Sequence, residues 1–270
     1  MNWRAIRAIV RRDLTVAAGS KAVVLPAVII PAILLIVIPA LAGSLPVIAR
    51  PDAYADLEPL IGLLPDQALA ELPGDRGERI AYLMVAYLLT PVVLLVPVLF
   101  ASVIAADGVA GERERGTLEG LLLTPVTDRE LAVAKLLAAW LPSLVLSVGG
   151  ASVYAAVGNL TIGLQLGRLV LPTTEFAVLA LWVGPAFAAA ALGVVSLVSV
   201  RVGTTQEAFQ LGGLVVLPIV AMLLSQASGA LLLSPWVLVV VGLVAASIAV
   251  GVVALGARGM ARSRLGPRLS

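Results

Sequence analysis

The sequence predicts an all-α membrane protein: six transmembrane helices, an amphipathic interfacial helix ahead of them, and one short helix in an inner loop. Composition is the first reason. Of 270 residues 60% are hydrophobic and only 13% are charged, with a mean hydropathy of +1.08. That charged share is about half of what soluble proteins carry, and a soluble domain has no way to hide so much apolar surface. The second reason is the distribution of charge. Stretches free of Asp, Glu, Lys and Arg cover 22–49, 80–106, 136–167, 176–200 and 208–257. The third is their length, since about 20 apolar residues cross a bilayer as a helix. Strands of a membrane β-barrel would be shorter and would alternate in polarity.

Each of the first four stretches holds one span. The fifth, 50 residues long, holds two. It is broken by Ser225-Gln226-Ala227-Ser228-Gly229 and then Ser234-Pro235-Trp236, the small polar residues and proline of a tight turn. The expected spans are about 22–43, 81–106, 132–158, 174–200, 211–229 and 235–257.

The basic residues set the orientation. Fourteen of eighteen fall on one side: Arg4, Arg7, Arg11, Arg12 and Lys21; Arg113, Arg115, Arg129 and Lys135; Arg201; and Arg258, Arg262, Arg264 and Arg268. Only Arg50, Arg76, Arg79 and Arg168 fall on the other. By the positive-inside rule both termini are cytoplasmic. The external loop 44–80 carries seven acids against three arginines, a net −4. The basic start, the apolar run and Ala40-Leu41-Ala42 also resemble a signal peptide with its cleavage site. The apolar run and the charged region before it are long for one, so retention is expected. The whole chain, 1–270, reads as a single transmembrane domain: a cytoplasmic helix over 1–21, the external loop 44–80, a cytoplasmic loop 107–130 and a cytoplasmic tail 258–270. A plasma-membrane location is expected.

In the first helix Trp3, Ile6, Val10, Leu14 and Ala17 share one face at 100° per residue, and Arg4, Arg7, Arg11 and Arg12 cluster on another. A basic amphipathic helix bearing a tryptophan lies in the interface, held by anionic lipid heads. The favoured role is a topology anchor; transmission of motion from a cytoplasmic partner is the sharper alternative.

The membrane interior is plain. No charged residue lies near the middle of a span, whereas ion-driven carriers place carboxylates there as relays. Sodium sites made from carbonyls and hydroxyls stay open, and energy for transport, if it occurs, is expected from outside the membrane domain. Pro26, Pro31, Pro39, Pro91, Pro97, Pro142, Pro185 and Pro218 interrupt the apolar runs. Each removes a helix hydrogen bond, which suits a bundle that changes shape, although proline is also common in membrane helices. Gly149-Gly150-Ala151-Ser152 and Ala188 to Ala191 permit close helix contact. Trp182, Tyr154 and Gln226 read as packing or interface residues. Without cysteine or histidine, thiol and imidazole chemistry and the corresponding metal sites are excluded. No metal site, catalytic residue or nucleic-acid partner is expected.

The most distinctive stretch is the inner loop. Thr117 or Thr127 can cap a helix, and Thr127 has Glu130 three residues on, the spacing of a capping box. Leu118, Leu121 and Leu122 form a short apolar stripe that Pro125 ends. Such a stripe rests on a membrane surface or on a partner protein.

The run from Glu112 to Val126, with Glu130-Leu131 and Lys135-Leu136-Leu137, resembles the signature loop of the ABC type-2 exporter permeases, the membrane subunits of one class of ATP-binding-cassette transporters. Arg201 to Ala208, running into Leu217-Pro218, is similar to that family's loop between spans four and five. The external loop 44–80 is longer than in many members. The resemblance implies a coupling helix in 107–130, docked on a nucleotide-binding subunit. Glu112, Arg113, Glu114, Arg115, Gly116, Thr117, Leu118 and Glu119 carry over to that role by position, forming ion pairs with the N-terminal helix and the ATPase. It also implies a second permease copy or a paralogue across a two-fold interface. No Gly-x-x-x-x-Gly-Lys-Ser/Thr motif occurs, since Lys21 and Lys135 are the only lysines and neither follows glycine. ATP and Mg are thus expected in the partner ATPase, with no cofactor in this chain. The alternative functions are an ATPase-driven membrane assembly or extraction factor, and a membrane phosphotransferase suggested by Asp107-Gly108, whose further aspartates are missing here.

Overall fold

The computed structural model describes residues 2–19, 21–50, 75–114, 116, 127–199, 201–227 and 234–259, with residues 57, 59, 61 and 62. Among these there are helices and short connections and no strand. The elements are α1 (Trp3–Gly19), α2 (residues 21–43), α3 (Arg76–Ala106), α4 (residues 128–166), α5 (Thr174–Ser199), α6 (residues 205–227) and α7 (Pro235–Gly259). Most of the expected external loop, residues 115 and 117–126 of the inner loop, the turn at 228–233 and the tail from 260 lie outside the described residues.

Five of these helices, α3 to α7, are long and apolar enough to cross a membrane. The first expected span is helical over 21–43, but its described apolar stretch, Val28–Gly43, is shorter. Helix α4 outlasts its expected end at 158 by about two turns, closing at Gly167 with φ 64°, a left-handed conformation that glycine adopts without strain. Helix α6 starts at Thr205, six residues before the expected span, because the Thr204 hydroxyl accepts from Glu207 N (3.1 Å) and supplies a cap that hydropathy does not register.

α3 and α5 form the centre and are two-thirds buried, whereas α6 and α7 show most of their surface outward. The seam between them is made of small residues near the basic end, Ala101, Ala105, Ala106, Ala110, Ala139 and Ala188 among them. Small side chains let helix backbones approach closely. Larger groups fill the opposite half, where Tyr154 stacks on Phe176 (5.7 Å between centroids) beside Leu35 and Leu171. Outward-facing Val28, Ile36, Val145, Leu224 and Val250 are exposed, as lipid-facing residues are.

The prolines do not simply kink these helices. Several stand beside turns of altered winding: Pro91 opens the tight 3₁₀ turn Thr90–Leu94, Pro39 and Pro185 follow the wide π turns Ile33–Val37 and Leu179–Val183, and Pro218 follows the 3₁₀ turn Gly213–Val216. A proline leaves the carbonyl four residues earlier without its usual donor. For Pro91 that carbonyl is Tyr87 O, and the Thr90 hydroxyl donates to it at 2.7 Å. Further π turns occur at Met84–Leu88, Asp107–Gly111 and Asn159–Gly163.

Candidate functional site: a charged junction at the basic end

α1 begins where the Asn2 side-chain oxygen accepts from Arg4 N (3.1 Å) and Ala5 N (3.3 Å), satisfying amides that a helix start leaves open. Ile6 and Ile9 then pack on Leu131 and Ala134 of α4, with Val10 at the margin. The buried stripe is therefore Ile6–Ile9–Val10. Trp3, expected on the same apolar face, is 61% exposed, and Arg4, Arg7 and Arg11 point to the surface. α1 is thus docked on α4 by one face while its basic face remains outward.

α4 starts with the expected capping box. Thr127 N donates to Glu130 Oε2 (3.1 Å), the Thr127 hydroxyl donates to the same oxygen (2.9 Å), and Glu130 N donates back to Thr127 Oγ1 (3.3 Å). The other Glu130 oxygen accepts from Asn2 N. Hydrogen bonds from the Asn2 and Thr127 main chains hold this carboxyl below the usual carboxylate range. One side chain therefore clamps the first residues of α1 to the first turn of α4.

α3 runs into the π turn Asp107–Gly111 and then the single turn Glu112–Glu114. Both neighbours hold that turn. Lys135 Nζ of α4 donates to Gly108 O at 2.6 Å. From α5, Ser199 Oγ donates to Ala106 O (3.2 Å) and accepts from Ala110 N (2.9 Å). The arrangement aims Glu112 inward, where it is 3% exposed.

Four charges meet there. Glu112 Oε1 lies 3.2 Å from Arg12 Nη1, and Glu112 Oε2 lies 3.1 Å from Lys135 Nζ. Asp13 completes the set, its oxygens 3.6 Å from Arg12 and 3.8 Å from Lys135. These two acids and two bases, from α1, the turn and α4, offset one another, and Asp107 also lies near enough to act on Asp13. Burial raises the Asp13 carboxyl above its ordinary range, with Lys135 pulling the other way and Glu112 adding to the rise. Groups desolvated to this degree contribute little net stability, because the lost hydration offsets most of the attraction. What they fix is geometry, since each charge is costly to leave alone.

Glu114 faces the other way and is exposed, yet its Oε2 accepts from the Thr205 hydroxyl at 2.6 Å. Thr205 opens α6, inside the 201–208 segment. The two stretches that carry the family resemblance thus touch in space, which their sequence separation of 91 hides.

Glu112, Glu114 and Arg12 stand in this junction. Gly116 is exposed with φ 66°. Arg113 is in the Glu112–Glu114 turn. Arg115, Thr117, Leu118 and Glu119, and with them the expected short helix, lie outside the described residues. Sequence reading missed Asp13, Ser199, Thr205 and the role of Lys135. Two signals were present: Asp13 is the one acid among residues 1–21, and Lys135 is one of only two lysines in the chain. Among the described residues no cluster of acids is placed to hold a metal ion.

A bundle of apolar helices with no charge at mid-membrane and a braced charged junction at one end defines a multi-pass membrane protein. A model of the family described as "ABC-2 family transporter protein" matches residues 7–255, and the chain belongs to that family. It is a permease subunit of an ABC transporter, and the match takes in α1 from Arg7 onward, every span and both touching segments. No curated protein matches the chain.

Proposed function

We propose that this permease is one half of an ATP-driven exporter in the plasma membrane, that the basic end is cytoplasmic with both termini, and that residues 22–43 provide the sixth span. A separate cytoplasmic ATP-binding-cassette subunit binds ATP and Mg and docks on the 107–130 loop. A second copy or a paralogue completes the path. Residues 112–119 take up the movement of the ATPase, and exposed Trp3, Arg4, Arg7 and Arg11 rest on membrane lipid.

The observation that carries this reading is the placement of Glu112. It sits on a turn tied by side chains to α1, α4, α5 and, through Glu114, α6. Movement of the Glu112–Glu114 turn bears on four elements at once. Charge pairing also supplies stiffness at little cost in net charge, as a transmission element needs.

The test is co-purification. The tagged chain, expressed with candidate ATP-binding-cassette ATPases from the same genome, should retain one of them through size exclusion and stimulate its hydrolysis. Glu112→Ala and Glu114→Ala should lose the stimulation while the complex still forms. A permease that binds no ATPase, or double variants that transport normally, would overturn the proposal.

A further inference from the structure

α4 grips its neighbours by their main chains. Trp140 Nε1 donates to Pro185 O (3.2 Å), Ser147 Oγ donates to Ala180 O (2.8 Å) and Tyr154 Oη donates to Val85 O (2.9 Å). The spacing of seven places all three on one stripe of the helix. Ser147 and Tyr154 are fully buried. In a regular helix an interior carbonyl already has its own amide donor. Both buried donors instead meet carbonyls inside π turns, Ala180 in Leu179–Val183 and Val85 in Met84–Leu88.

A π turn holds one residue more than an α-helical turn. That surplus sits at one discrete place along the helix. Moving it past a residue rotates that residue by about 100° and shifts it by about 1.5 Å. In α3 only Leu89 separates the wide turn Met84–Leu88 from the tight turn Thr90–Leu94, so over-winding offsets under-winding within one short stretch of the helix. In α5, Gly184 ends the wide turn, and Pro185 cannot restore the α-type bond. A Cβ on Gly184 would collide with Ser147 Oγ, so this hydroxyl occupies a notch cut for it.

We propose that Ser147 and Tyr154 are positioning residues for transport: they hold the surplus residue of α5 and of α3 in its present place against α4, and the transport cycle moves it. The proposal rests on the ATP-driven reading above and adds where the membrane helices yield.

Hydrogen–deuterium exchange on the complete permease–ATPase complex in lipid nanodiscs tests it. Wild-type complex is compared without nucleotide and trapped with ATP and vanadate. Amides of the Met84–Leu89 and Leu179–Gly184 segments should change exchange rate between the two states. Tyr154→Phe, which keeps the ring on Phe176, should speed exchange at Met84–Leu89 roughly threefold to twentyfold in the nucleotide-free state, the range one interhelical hydrogen bond in a membrane supports. Ser147→Ala should do the same at Leu179–Gly184. Both variants should alter kcat of coupled hydrolysis with KM for ATP unchanged, a split that loss of packing alone would not give. If the residues around Glu112 respond to nucleotide while both π turns exchange identically in the two states, the proposal is wrong and the ATP-driven reading stands. If nothing in the chain responds to nucleotide, both fall.

Discussion

Replacing Glu112 with glutamine removes one charge from the junction and keeps its shape. Lys135, only 10% exposed at its side chain, then loses the carboxylate 3.1 Å away and keeps Asp13 at 3.8 Å and Gly108 O at 2.6 Å. Arg12 loses a partner too, but with 43% of its side chain exposed it recovers hydration. Breaking a fully buried pair from one side costs about 3–5 kcal/mol. With one cation rehydrated and the other still paired to Asp13, about 2 kcal/mol is expected here. For a chain of this size that is a fall in apparent Tm of roughly 4–8 °C. The assay is a double-mutant cycle by thermal unfolding in nanodiscs, with Glu112→Gln, Lys135→Met and the pair. Methionine keeps the apolar stem of Lys135 and drops the charge. The double variant should be less damaged than the two singles summed, by about 1–2 kcal/mol. Strict additivity would mean that the two groups do not hold each other, and the account of the junction would fail.

Other outcomes follow from the same geometry. The Asp13 carboxyl is raised by burial, so the folded state binds its proton more tightly than the unfolded chain does, and stability rises as pH falls through the raised value toward 3.8; Asp13→Asn should abolish that rise in pH-dependent unfolding. Glu130 is shifted the opposite way, so its contribution is present above 4.5 and disappears as pH falls through the lowered value; Glu130→Gln should remove this loss and free α1 first, read by protease cleavage within residues 3–19. Gly184→Ala forces a methyl onto Ser147 Oγ and should cost about 1–3 kcal/mol in thermal unfolding, as overpacking does. Thr205→Val cuts the bond to Glu114 at an exposed site, so it should change Tm by no more than about 2 °C yet reduce stimulation of the ATPase.

Much of this molecule was written in one dimension. Spans, sidedness of charge and the Thr127–Glu130 capping box depend on neighbours within a few residues or on the sum of apolar groups along a helix, and composition carries such quantities directly. The 112–126 motif and the 201–208 segment were likewise visible as strings. Contacts between strings were not. Arg12 meets Glu112 across 100 residues, and Thr205 meets Glu114 across 91; nothing local in either partner encodes the other. Asp13 shows why: as a string it is one acid among arginines, and only docking of α1 through Ile6 and Ile9 turns it toward Lys135. Tyr154 shows it again, an ordinary aromatic in an apolar run until packing brings its hydroxyl to Val85 O. Hydrophobicity adds up along a chain and can be counted from it; pairing of charges and of polar groups in the bilayer depends on which helix faces meet, and that is settled by packing alone.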